Sequence, residues 1–178
     1  NRLDAKRHIN YPSPRITPER YAAFADNLSR SGHSSVDGFL EKRRQWLDIG
    51  KYAIGHSLLK SEAENAKKLF PPHQPKDHWY EALWQALEAP TWHEFTQNPI
   101  AIVTFNYDRT LEHYLVSVLC NHYDISPKTA LDGLSSLPVI HVHGSLGEYD
   151  DARFGGEVHP NWIELARKSI LIVHEDNE

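Results

Sequence analysis

Apolar positions in the first half of the chain recur three and four residues apart, the spacing of a helix that buries one face. Tyr21, Phe24, Ala25 and Leu28 form the first such stripe. Thr17 supplies a side-chain oxygen to cap the free amides ahead of it, and Pro18, with no amide hydrogen to lose, suits the first helical turn. Ser31-Gly32 ends this helix near Arg30. Ser35 then caps a longer helix in which Val36, Phe39, Leu40, Leu47, Ile54 and Leu58 share a side, and Gly50 and Gly55 permit close packing. The charged stretch from Lys60 to Lys68 reads as the solvated end of that helix, closed by Pro71, Pro72 and Pro75. A short helix from Trp79 to Leu87 follows. Ahead of all these, Asn1 to Arg20 carries Pro12, Pro14 and Pro18 among basic residues and reads as an irregular lead-in.

Beyond Pro90 and Pro99 the pattern changes. Ile100 to Phe105 is a continuous run of β-branched and apolar residues, the signature of a buried strand, and it stops at Asn106. Leu111, Tyr114, Leu115, Val118 and Leu119 restore the helical period from near Asp108 onward. Pro127 and Pro138 bound a short helical or loop stretch. Val139 to His143 reads as a second strand ending at Gly144, a helix is expected around Asn161 to Arg167, and Ile170 to Val173 as a third strand. Strands alternating with helices predict an α/β fold: a Rossmann-like parallel sheet with helices on both faces, and a large helical N-terminal or inserted portion. One domain spans residues 1–178, mostly helical over 1–98, with the strand-helix portion over 99–178.

Composition narrows the possible functions. The chain has 178 residues and a net charge of -5, which gives no electrostatic footprint for a phosphate backbone, so no direct nucleic-acid partner is expected. No apolar run approaches the roughly 20 residues of a membrane-spanning helix, so no membrane partner is expected either. A single cysteine, Cys120, excludes an internal disulfide framework and any Cys-x-x-Cys metal site; it suits a reducing compartment and a cytoplasmic location.

In parallel sheets ligands sit beyond the carboxyl ends of the strands. The first strand delivers Asn106-Tyr107-Asp108-Arg109 there, and the second His141-Val142-His143-Gly144-Ser145. An asparagine carboxamide orients water or a sugar hydroxyl with donor and acceptor together, aspartate accepts from an amide, and histidine moves protons near neutral pH. Gly144 allows a ligand to approach the backbone. Each residue also has a plain structural role open to it: Asp108 as a helix cap, Asn106 as a turn residue, and His141 with His143 as hydrogen-bonded histidines two apart on one strand face.

Thr104-Phe105-Asn106-Tyr107-Asp108-Arg109-Thr110-Leu111-Glu112 together with His141-Val142-His143-Gly144-Ser145 resembles the SIR2-like domain, in the form found in bacterial NAD hydrolases of anti-phage defence. The helical stretch from Val36 through Leu58 also resembles insertions of that family. The resemblance implies an NAD glycohydrolase that releases nicotinamide and ADP-ribose, with NAD as substrate and no metal. It implies that Asn106 holds the nicotinamide ribose or the attacking water and that His143 is the general base. Thr104, Asp108, Gly144 and Ser145 would contact the dinucleotide, Asp108 through the nicotinamide carboxamide. A homo-oligomer or a defence-system partner protein is expected, and His141 receives no role. Protein-deacylating sirtuins carry Gln-Asn-Ile-Asp where this chain has Phe105-Asn106-Tyr107-Asp108, and a four-cysteine zinc module that one cysteine cannot form. The nine glycines are scattered and make no glycine-rich phosphate loop, so the sequence reads as an incomplete domain of this type.

Two other readings stand beside this one. A non-catalytic SIR2-like module would bind a nucleotide or a partner protein to regulate an effector. A metal-dependent hydrolase would draw its ligands from His141 and His143, with His159 and His174 at later element ends.

Overall fold

The computed structural model describes residues 16–70, 79–150 and 154–172. Most of the predicted lead-in, the proline stop at Pro71, Pro72 and Pro75, and both Val173 and His174 lie outside these residues.

The helical half begins as the sequence predicts. Helix α1 spans Pro18–Ser29, its first turn closed by the Thr17 hydroxyl accepting from the Arg20 amide at 3.3 Å. The long second helix is interrupted. Ser35 caps α2 (Val36–Lys42), but at Arg43 the backbone leaves helical geometry (φ -131°, ψ 60°), a 3-10 turn covers Arg44–Trp46, and α3 restarts over Leu47–Asn65. The bend lets Leu40 of α2 fold back over Gly50 of α3, in space that a β-carbon at residue 50 would need. Helices α4 (Trp79–Leu87) and the short α5 (Trp92–Phe95) follow.

Strand β1 is Ile102–Thr104, helix α6 Thr110–Tyr123, helix α7 Pro127–Leu134, strand β2 Val139–His141 and helix α8 Pro160–Ser169. The two strands pair in parallel, Ile102 opposite Val139 and Thr104 opposite His141. Both are shorter than the apolar runs that announce them. Among the described residues the expected third strand does not join the sheet; Ile170 to Ile172 run as irregular chain, held to the tip of β2 by the Leu171 amide donating to the His143 carbonyl at 2.8 Å. The protein is therefore mostly helical with a small parallel sheet.

Two apolar clusters support this frame. The first gathers Phe24, Phe39, Ile49, Tyr52 and Leu59 from α1, α2 and α3 with Ile163 and Ala166 of α8. Close approach of α8 depends on Gly55, where a β-carbon would stand 3.0 Å from that of Ala166. The second gathers Leu87 and Phe95 with Leu111, Leu115 and Leu119 of α6 and Ala130 and Leu134 of α7.

Ile102 and Val139, on the inner face of the sheet, pack against this second cluster. The outer face is bare among the described residues: Val103, Phe105, Ile140 and Val142 are 59, 69, 48 and 42% exposed. The expectation of helices on both faces is thus met on one face only. The reason is the placement of the connecting helices, since α6 and α7 both belong to the cluster beneath the inner face, while α1, α2, α3 and α8 close a cluster of their own.

Candidate active site at the strand ends

Because β1 and β2 run parallel, the loops that follow them leave the sheet at the same edge. They are joined directly. The Leu146 amide donates to the Tyr107 carbonyl at 2.9 Å, and the Val142 amide to the Thr104 carbonyl at 3.0 Å. Tyr107 fixes the first loop to the rest of the molecule, its hydroxyl donating to Asp37 Oδ1 of α2 at 2.8 Å.

Asn106 sits at the tip of β1 with both backbone polar groups engaged. Its amide donates to Thr104 Oγ1 at 3.1 Å, and its carbonyl meets His141 Nδ1 at 2.6 Å. The Asn106 carboxamide is exposed and makes no hydrogen bond among the described residues. Thr104 therefore shapes the loop through its hydroxyl. The helix-cap role open to Asp108 from the sequence falls instead at Arg109, which has no side-chain cap bond; Asp108, one residue earlier, accepts at Oδ1 from the Thr110 amide at 3.2 Å. It also lines a cleft of about 190 Å³, together with Ser61, Glu62, Asn65 and Thr110 and the apolar Leu58, Leu69 and Phe154.

The two histidines of the second loop part company. Strand β2 ends at His141, and the chain turns so that the Gly144 amide donates back to the His141 carbonyl at 3.2 Å. His143 is left half-buried beside two aromatic rings, 5.8 Å from that of Phe105 and 6.4 Å from that of Tyr107 between centroids. Gly144 has φ +71°, which favours glycine, and the close approach it serves is to the Ser169 carbonyl, which a β-carbon would strike. Ser145 turns its hydroxyl into its own loop, donating to the Gly147 carbonyl at 3.1 Å.

Two pairs of oppositely charged partners, one buried and one partly buried, flank the loops, and sequence pattern shows neither. Glu62, in the stretch expected to be solvated, is 4% exposed and receives Arg109, itself 7% exposed. Arg109 Nη2 donates to Glu62 Oε2 at 2.7 Å, the Arg109 amide donates to Oε1 at 2.8 Å, and Nη1 donates to the Glu148 carbonyl at 3.2 Å. Burial of a carboxylate on a lysine-rich helix end follows from this match of three donors to one carboxylate and a carbonyl.

In the second pair, His141 Nε2 lies 2.7 Å from Glu112 Oε1, from the first turn of α6. The hydrogen bond to the Glu112 carboxylate is the main force holding the His141 pKa above its ordinary value; the Asn106 carbonyl and the nearby charge of Asp108 act in the same direction, against a partial burial that lowers it. Tyr80 faces the same charges. Burial, then Asp108 and Glu112, push its phenol up to about 12. Both ring nitrogens of His141 face protein oxygens, and among the described residues no group of three histidine, cysteine or acidic side chains is arranged to hold a metal.

Glu112 stands inside the motif itself, but a carboxylate in a first helical turn has a ready explanation in the helix dipole, and that explanation hides its tie to the strand. No described helix is long and apolar enough to cross a membrane. No family model, no curated protein and no solved structure matches this chain.

Proposed function

We propose that this chain is a SIR2-like NAD hydrolase on a Rossmann-like frame, cleaving NAD to nicotinamide and ADP-ribose in the bacterial cytoplasm as an effector of anti-phage defence. A second copy or a partner protein of the defence system would control it. One observation carries the reading: β1 and β2 are parallel neighbours, so Asn106 and Asp108 share one edge of the sheet with His143, on loops hydrogen-bonded to each other.

The chemistry suits these residues. Breaking the bond between nicotinamide nitrogen and ribose C1′ leaves positive charge on the ribose, water supplies the new C1′–O bond, and the water proton must be accepted. The Asn106 carboxamide, free to hydrogen-bond, orients the water or a ribose hydroxyl. His143 accepts the proton. Asp108 accepts from the nicotinamide carboxamide in a cleft that it lines, whose apolar Leu58, Leu69 and Phe154 and polar Ser61, Asn65 and Thr110 suit a flat aromatic amide.

The test is nicotinamide release from NAD by the wild type and by Asn106→Ala and His143→Ala. Each variant is expected to remain folded and to lose on the order of 10²-fold or more in rate. Equal turnover by all three proteins would discard the assignment. A second reading, a non-catalytic module that binds a partner protein, is favoured by the absence from the sequence of the glycine-rich loop that would cradle a dinucleotide pyrophosphate. A folded wild type that gives no heat with NAD in calorimetry and releases no nicotinamide would favour it instead.

A further inference from the structure

The His141–Glu112 pair does more than fill the space beneath the sheet. A backbone carbonyl can only accept, so the 2.6 Å contact between His141 Nδ1 and the Asn106 oxygen places a hydrogen on Nδ1. The other ring nitrogen faces a carboxylate, and an ionised Glu112 requires a second hydrogen there. Both side chains are largely shielded from water, at 10 and 14% exposure. Glu112 Oε2 is buried with no hydrogen-bond partner among the described residues, so Oε1 is the oxygen through which this side chain meets the His141 ring. A doubly protonated imidazolium meets both ring contacts at once.

The consequence falls on Asn106. Its amide is held by Thr104 Oγ1 and its carbonyl by His141, so the backbone on each side of its α-carbon is fixed, and with it the direction in which the side chain leaves. The carboxamide beyond that fixed point is exposed and makes no hydrogen bond among the described residues.

We infer that His141 and Glu112 are positioning residues of the strand-end site: the imidazolium, braced on the Glu112 carboxylate, clamps the Asn106 peptide and thereby aims the Asn106 carboxamide at the substrate. The inference rests on the NAD-hydrolase reading for the substrate, while the clamp itself follows from the geometry. Glu112 of α6 and Asp108 of the first loop are the charged groups acting on His141, with the Tyr80 phenol of α4 across from both.

Glu112→Gln is the variant of choice, since it keeps the size of the side chain and an oxygen able to accept from Nε2 while removing the charge. Misaiming a group that touches the substrate costs up to about 10²-fold, so kcat for nicotinamide release is expected to fall roughly 10- to 100-fold with KM little changed. The alkaline limb of the pH–rate profile is expected to move to lower pH as His141 loses its counter-charge. Nitrogen NMR of the His141 ring supplies a readout that needs neither substrate nor variant: two ring protons are expected in the wild type at neutral pH. A wild-type ring with one proton at neutral pH overturns the clamp, as does Glu112→Gln with unchanged kcat and pH profile. A wild type that releases no nicotinamide overturns the functional reading alone, and the ring protons together with the amide shifts of Asn106 and Tyr107 in Glu112→Gln then decide whether the clamp exists.

Discussion

The two apolar clusters are built differently, and the candidate site lies where they meet. The first is closed by contacts between distant parts of the chain, α8 lying along α3 through Gly55 and Ala166. The second is assembled from nearly consecutive elements, α4 through α7, with the inner face of the sheet laid on top. Polar groups help to join the two. Glu62 of α3 receives Arg109 at the start of α6, and Tyr107 reaches Asp37 of α2. The comparison teaches that the loop carrying Asn106 and Asp108, which leaves a sheet resting on the second cluster, is held to the helices of the first by charged and hydrogen-bonding partners, whose geometry is directional in a way that apolar packing is not.

The most severe way to break this arrangement is to remove one member of the ion pair between the clusters. Glu62→Ala leaves Arg109 buried with an unbalanced charge, a defect that costs about 3–5 kcal/mol, and chemical denaturation is expected to show that loss with both clusters affected. Glu62→Gln should recover part of it.

A core deletion separates the clusters. Leu119 is fully buried in the second one, and Leu119→Ala is expected to cost about 2–5 kcal/mol. Hydrogen exchange should rise in α4, α6 and α7 first, with α3 and α8 keeping more of their protection. A uniform rise over both clusters would show that they unfold as one.

Thr17→Ala acts on the edge of the first cluster alone. Loss of the hydroxyl that caps α1 is expected to cost about 1 kcal/mol, read as a lower denaturation midpoint.

The smallest effect expected is a pH dependence. The fold holds His141 above its ordinary value of 6.5, mainly through Glu112, so it favours the protonated ring. The stabilisation is complete below that ordinary value and is lost as pH rises through the raised one. The stability gap between wild type and Glu112→Gln should therefore narrow toward alkaline pH; a gap that widened would contradict the charged pair.

What could be read from the sequence divides along the same lines. Helix starts were legible where their signals are local: Thr17 before Pro18, and Ser35, which accepts from the Gly38 amide three residues on, both act within one turn. The break at Arg43 was not, since no glycine or proline marks it and the gain is tertiary, Leu40 packing over Gly50. The parallel arrangement of β1 and β2 followed from alternation of strand and helix, and with it the approach of the two strand-end loops. The bare outer face did not, because apolar residues on both sides of a strand say only that both could be covered. The ion pairs join residues 47 and 29 positions apart, beyond any local pattern. His141 and His143 are two residues apart but do not share an environment, because β2 ends at His141 and the turn that follows carries His143 off the strand.

The measurement that bears most directly on the proposed activity is turnover of NAD in water enriched with oxygen-18. Hydrolysis at ribose C1′ predicts stoichiometric nicotinamide and ADP-ribose, the ADP-ribose carrying one labelled oxygen from the solvent, with both products lost in Asn106→Ala. Intact NAD after prolonged incubation with the folded wild-type protein would contradict it.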